Sequence, residues 1–341
     1  LQTALNVVMK EIKFSTEVEI PASEWKMDHQ SKVLTLGSCF ADVLWQQLSA
    51  YKFPVLNNPL GTIFNPLTIA KTIDSALEER SPASELFMKT EDDIWLHHDF
   101  HSSQWAGNRS ELETNIKSHL VEVGAFLKEA DLLVITLGTA YAYRHKASNM
   151  IIGNCHKLPA DQFIKELLHP DQIIKAMEPL VQKLLMFRRS LRIVLTVSPV
   201  RHTRDTLPLN QVSKSILRLV CHRLCEKYKH IMYFPSYEIM VDELRDYRFY
   251  DSDLIHPSKL AEDHIFNAFA KTYISPDSHD LMRQWDKIML TLNHRPLHGF
   301  SKSHLKFLKT LWSKLNEFSR RIDVTEELNE VERRIGEFPV S

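Results

Sequence analysis

Two stretches near opposite ends of this 341-residue chain hold residue types that could together open an ester. The first is Gly37-Ser38-Cys39. Val33, Leu34 and Leu36 before it suit a short buried strand, and Phe40, Val43, Leu44 and Leu48 after it recur at helical spacing. A strand that breaks at Gly-Ser into a helix sets the Ser38 hydroxyl beside unpaired helix N–H groups, where developing negative charge is stabilised. A plain N-cap is the simpler role for such a serine. The second stretch is Asp251-Ser252-Asp253-Leu254-Ile255-His256-Pro257. Pro257 fits a first helical position, so Asp253 and His256 are expected in the loop entering a helix. A carboxylate three residues before a histidine can hold Nδ1 and leave Nε2 free as a base.

These side chains must be positioned by the elements between them. Leu132 to Gly138 and Arg192 to Ser198 read as buried strands. Leu67 to Glu79, Ser110 to Ala130, Pro170 to Arg189, Asn210 to Tyr228 and Pro257 to Tyr273 read as helices, with Ile231 to Phe234 strand-like. Strands alternating with helices of this length predict a three-layer α/β/α sandwich around a mainly parallel sheet. Sites in such sheets gather at the carboxyl ends of strands, where Ser38, Gly138 and His202 fall. Residues 1–29 are expected as an arm or edge strand, 30–275 as the α/β domain and 276–341 as a helical extension. That extension contains three helical stretches punctuated by Arg295 to Gly299 and is expected to cap the sandwich or form a homodimer surface. The run from Phe53 to Thr62 holds too much Pro, Asn and Gly for a regular element, and residues 139–160 are expected to lie over the strand ends as a loop or hairpin. Met9 looks like a natural start, and nothing is built on residues 1–8.

Composition narrows the function classes. Lys+Arg 42 nearly cancel Asp+Glu 43, so no overall field recruits nucleic acid or an anionic membrane. Four cysteines are too few for a disulfide framework in a chain this long. The longest apolar run falls short of the roughly 20 residues that span a bilayer, and no leader pattern opens the chain, so a cytoplasmic protein is expected. The eight glycines form no dinucleotide, P-loop or Gly-x-Ser-x-Gly motif. His97, His98 and His101 invite a metal hypothesis, as do Cys221 and Cys225 with Cys155 and His156. Core packing and pocket roles are the preferred readings, and neither metal nor cofactor is expected.

The Gly-Ser and Asp-x-x-His blocks together resemble the SGNH (GDSL-like) hydrolase superfamily. More closely, Gly37-Ser38-Cys39-Phe40-Ala41 is similar to the signature of the GSCFA family, placed in that superfamily. Further similar blocks are Asn58 to Pro66, Asp99-Phe100-His101-Ser102, Leu137 to Ala140, Gly153 to Lys157 and Ser198 to Asp205, covering about residues 30–275. The resemblance implies ester chemistry on a small or carbohydrate-like acyl ester: Ser38 as nucleophile, His256 as base, Asp253 as its orienting acid, and an oxyanion hole from the N–H groups of Ser38 and Gly61. The usual third block, Gly-x-Asn, is here Gly138-Thr139-Ala140. Losing one oxyanion donor costs around 10²- to 10³-fold. Asn154 is the candidate substitute and Thr139 the runner-up. His101, Thr139, His156, Arg201 and His202 are expected at the substrate. Cys39 is read as a small packed residue rather than the nucleophile. A non-catalytic binding module and an acyltransferase are the alternatives.

Overall fold

The computed structural model describes residues 15–294 and 301–338. The expectations for residues 1–8, for Met9 and for Arg295 to Gly299 fall outside them. Residues 15–31 run as an extended arm, bridged to the rest through Met27 and Ile274.

The chain then enters β1 (Val33–Gly37), α1 (Phe40–Ala50), β2 (Val55–Asn57), α2 (Pro66–Leu77) and the hairpin of β3 (Phe87–Lys89) and β4 (Trp95–His97). Next come α3 (Arg109–Glu129), β5 (Leu132–Leu137), β6 (Tyr141–His145), β7 (Met150–Ile152), β8 (Phe163–Leu167), α4 (Pro170–Phe187) and β9 (Arg192–Val197). They are followed by α5 (Leu207–Lys227), β10 (Ile231–Phe234), α6 (Ser236–Glu238) running into a π turn over Ile239–Leu244, and α7 (Lys259–Tyr273). The last elements are α8 (Pro276–Leu292), α9 (Lys302–Phe318) and α10 (Thr325–Gly336).

Five of the strands form one parallel sheet in the order β10-β9-β5-β1-β2. The order reverses between β1 and β5, because β2 lies on one side of β1 and the later strands on the other. That crevice is where ligands bind in open parallel sheets. The strands alternate in what they bury. Leu34, Leu36, Leu133, Ile135 and Leu137 pack toward α2, α3, α4 and α5, whereas Val33, Leu132, Val134 and Val194 pack toward α1 and α7. Each such side chain contributes about 1.5–3 kcal/mol on full burial, so both helical layers are fixed to the sheet. This is the expected three-layer sandwich.

Some local expectations were wrong. Val55–Asn57 does form a strand, pairing with Val33–Thr35. The hairpin expected within residues 139–160 is present as β6–β7, and β8 extends it to three strands. The last helix of the sandwich begins later than Pro257 suggests: Ser258 is its cap, its side chain accepting from Ala261 N–H, and Pro257 instead bridges to Tyr250.

The C-terminal helices build their own small core around Trp285, Leu311, Leu315 and Val331. They attach where α1 ends. Trp285 Nε1 donates to Ala50 O at 2.8 Å, and Lys52 pairs with Glu327 at 2.7 Å. Val33 N–H bonds Pro54 O, so this junction lies at the edge where the strands begin, opposite Ser38. Among the described residues no helix is long and apolar enough to cross a membrane.

Candidate functional site

Gly37 closes β1 with φ +122°, and a Cβ there would lie 2.1 Å from Thr136 O. Only glycine permits that approach. Asn58 Oδ1 accepts Gly37 N–H at 2.9 Å, and the Asn58 amide donates to Asp42 Oδ1 at 2.8 Å, tying the turn to α1. Asn57 donates to the same carboxylate oxygen at 2.8 Å. Held this way, Ser38 is 1% exposed, and its Oγ has no hydrogen-bond partner among the described residues. The hydroxyl therefore caps nothing, and Cys39, with helical backbone angles, occupies the cap position. A buried hydroxyl without a partner is uncommon and calls for a reason.

The Asp253–His256 pair has the expected geometry. Asp253 Oδ2 lies 2.6 Å from His256 Nδ1, and Oδ1 accepts the N–H groups of Ile255 at 2.8 Å and His256 at 3.0 Å. The imidazole bond, then those two N–H groups, hold the Asp253 carboxyl down at about 2. Asp253 therefore stays ionised and leaves His256 Nε2 available. Both side chains are about half exposed. No hydrogen bond joins His256 to Ser38.

Both backbone N–H groups expected to receive an oxyanion are hydrogen-bonded within the protein. Ser38 N–H donates to Thr136 O at 2.9 Å and Gly61 N–H to Asn58 O at 2.6 Å, so both proposed donors are already engaged. Gly61, at φ +77°, instead permits close packing, because a Cβ there would strike His101 Cβ at 2.4 Å. The Thr139 hydroxyl is also committed, to Ser213 Oγ at 3.0 Å and Tyr141 N–H at 3.1 Å. Among the described residues three nearby N–H donors reach no oxygen acceptor. The N–H groups of Cys39 and Phe40, at the start of α1, reach no carbonyl and lie against the Cys39 thiol. The Asn154 side-chain oxygen accepts His156 N–H at 2.8 Å, and its amide nitrogen makes no hydrogen bond among the described residues.

The remaining predicted residues divide. His101 Nδ1 accepts Ser103 N–H at 3.2 Å, its Nε2 has no partner among the described residues, and its Cβ packs against Gly61. His202 stacks edge-on to Phe64 at 5.7 Å, and its Nε2 is buried without a partner. Burial first, then the Lys214 charge, lower His202 to about 4, so it is neutral. His156 donates through Nε2 to His97 O at 3.0 Å. Arg201 is occupied as well. Its guanidinium lies 3.8 Å from the Tyr250 ring and 5.1 Å from Tyr247, while Nη1 donates to Leu254 O at 3.3 Å and its N–H to Ile255 O at 3.2 Å. These contacts tie it to the loop that carries His256. His97 and His98 bond the carbonyls of Ala83 and Asn154, and burial lowers them to about 3 and about 4. Among the described residues no group of three His, Cys, Asp or Glu side chains could hold a metal.

The model described as GSCFA family matches residues 32–269. The chain belongs to the GSCFA family. A second model, described as GSCFA domain protein, C-terminal domain, matches residues 285–337, the part that builds the separate helical core. A comparison with curated proteins finds no match.

Within this GSCFA chain, four residues that position the site carry no role in the sequence reading: Asp42, Asn58, Asn210 and Lys214. Asn210 Oδ1 accepts His202 N–H at 3.0 Å. Lys214, 1% exposed, donates to Gly138 O at 2.8 Å and Ser198 O at 2.7 Å. A signal for it exists: Lys214 precedes Leu217 by three and Cys221 by seven residues, on the apolar side of a helix, where a lysine is out of place.

Proposed function

We propose that this GSCFA protein is a serine-dependent ester hydrolase of SGNH type, acting on an O-acyl group carried by a small or carbohydrate-like alcohol. The observation that carries the reading is the Ser38 hydroxyl, buried and without a partner at a strand-to-helix turn beside the sheet's reversal point. His256 Nε2 takes the Ser38 proton as Oγ bonds the ester carbonyl carbon, with Asp253 holding the imidazole in the required tautomer. The tetrahedral oxygen is received by the Cys39 and Phe40 N–H groups, with the Asn154 amide as the side-chain donor. Collapse breaks the ester C–O bond, and His256 returns the proton to the leaving alcohol. Water then adds to the acyl-serine by the same proton path, releasing the acid.

This reading requires His256 to approach Ser38. Catalytic hydrogen bonds are commonly long without substrate and tighten in the complex. One observation favours a second reading, a non-catalytic binding module: His256 and Ser38 share no hydrogen bond. Hydrolysis of short-chain nitrophenyl esters separates the two. The hydrolase reading expects turnover that disappears in Ser38→Ala and in His256→Ala, whereas a ligand bound in stoichiometric amount and recovered unchanged, with no turnover across many esters, supports the module.

A further inference from the structure

The buried face of α5 changes character along its length. Leu217, Val220, Cys221 and Leu224 join the apolar core, but Asn210, Ser213 and Lys214, each no more than 2% exposed, form a polar end. All three reach the carboxyl edge of the sheet. Asn210 takes the His202 N–H, Ser213 Oγ takes the Ala140 N–H at 2.7 Å, and Lys214 joins the residues that follow β5 and β9 through the carbonyls of Gly138 and Ser198. Among the described residues Lys214 makes no ion pair with a carboxylate.

An uncompensated buried amine destabilises a fold, and two carbonyls could be satisfied more cheaply by N–H groups or a hydroxyl. A role beyond packing follows from its neighbours. The charged, titratable or ring groups facing the nitrogen are Cys39 from the start of α1, His202 from the loop after β9, and Tyr237 of α6, whose ring lies 5.8 Å away. Two of these lie in the candidate site, and Cys39 adjoins Ser38.

We propose that Lys214 is a positioning residue that fixes the ends of β5 and β9 and supplies a buried positive charge to the Ser38–Phe40 turn, where the acyl oxygen becomes negative. The catalytic half of this assignment rests on the hydrolase reading. The electrostatic half does not. Burial brings the amine down to about 7, so the charge weakens as pH rises through neutrality.

Alkylation of Cys39, followed by peptide mass spectrometry, reads the charge without requiring turnover. Anionic iodoacetate and neutral iodoacetamide both need the thiolate, so the ratio of their rates isolates the local field. The ratio should fall roughly three- to tenfold in Lys214→Met. In the wild type it should decline as pH passes about 7, and in the variant it should stay flat. Lys214→Gln, which can still donate to a carbonyl but carries no charge, should behave like Lys214→Met and serves where the latter does not fold. Labelling of Ser38 by a fluorophosphonate should slow at least tenfold in both variants, with partial recovery in Lys214→Arg. Unchanged ratios in folded variants overturn the electrostatic assignment, and unchanged Ser38 labelling overturns the catalytic one. A shifted ratio with no labelling of wild-type Ser38 supports the charge assignment and counts against the hydrolase reading.

Discussion

Asp253 Oδ2 lies 2.6 Å from Nδ1 of His256, and the other oxygen of the same carboxylate is held by two backbone N–H groups. The acid is therefore fixed to its own loop before it orients the ring. Asp253→Asn should leave the fold intact, because the side chain is exposed, and lower ester turnover by about 10⁴-fold through the wrong imidazole tautomer. Steady-state kinetics beside a thermal melt checks this.

Arg201 gives a different expectation. Its ring stacking and two carbonyl contacts hold the loop from Tyr250 to Ile255. Arg201→Met should lower kcat by about 10²-fold, the scale of a 1 Å misplacement, with KM little changed. A rise in KM alone would instead make Arg201 a substrate ligand.

Gly37→Ala should destroy the site and much of the stability, since the new methyl would meet Thr136 O at 2.1 Å in a backbone conformation that alanine resists. Gly107→Ala is the control, having nothing within 4 Å of the added carbon. Soluble yield and melting temperature of the pair decide it.

Stability should depend on pH from both sides of neutrality. His97, His98 and His202 are held neutral, lowered by burial to about 3, 4 and 4 from an ordinary value of 6.5. Between those values the unfolded chain binds more protons, so stability is complete above about 6.5 and lost as pH falls toward 3. Lys214 is lowered from 10.5 to about 7. Across that interval the unfolded chain again binds more protons, so this group makes stability rise with pH. Melting temperatures from pH 4 to 10 should show both slopes, and Lys214→Met should remove the alkaline contribution.

The architecture was legible because burial leaves a simple trace. The apolar run Leu132 to Leu137 suits a strand covered on both faces, and the helices between strands carry regular apolar spacing. β2 was obscured by Pro54, Asn57 and Asn58, since a three-residue edge strand needs little apolar character: Asn57 bonds Thr35 at 2.9 Å, and Asn58 leaves the strand to hold Gly37. Residue types also announced Ser38, Asp253 and His256. What could not be read was which N–H groups were already engaged. Gly61 N–H is taken by a local turn with Asn58, and Ser38 N–H by a strand distant in sequence. Arg201 looked like a ligand-binding cation because the tyrosines that receive it are more than forty residues away in sequence.

The most direct test is a serine-directed fluorophosphonate, with the adduct mapped by peptide mass spectrometry. One modified peptide is expected, with phosphonate on Ser38, formed rapidly in the wild type, at least about 10³-fold more slowly in His256→Ala and not at all in Ser38→Ala. Labelling on another residue, or equal Ser38 labelling with and without the His256 imidazole, would contradict it.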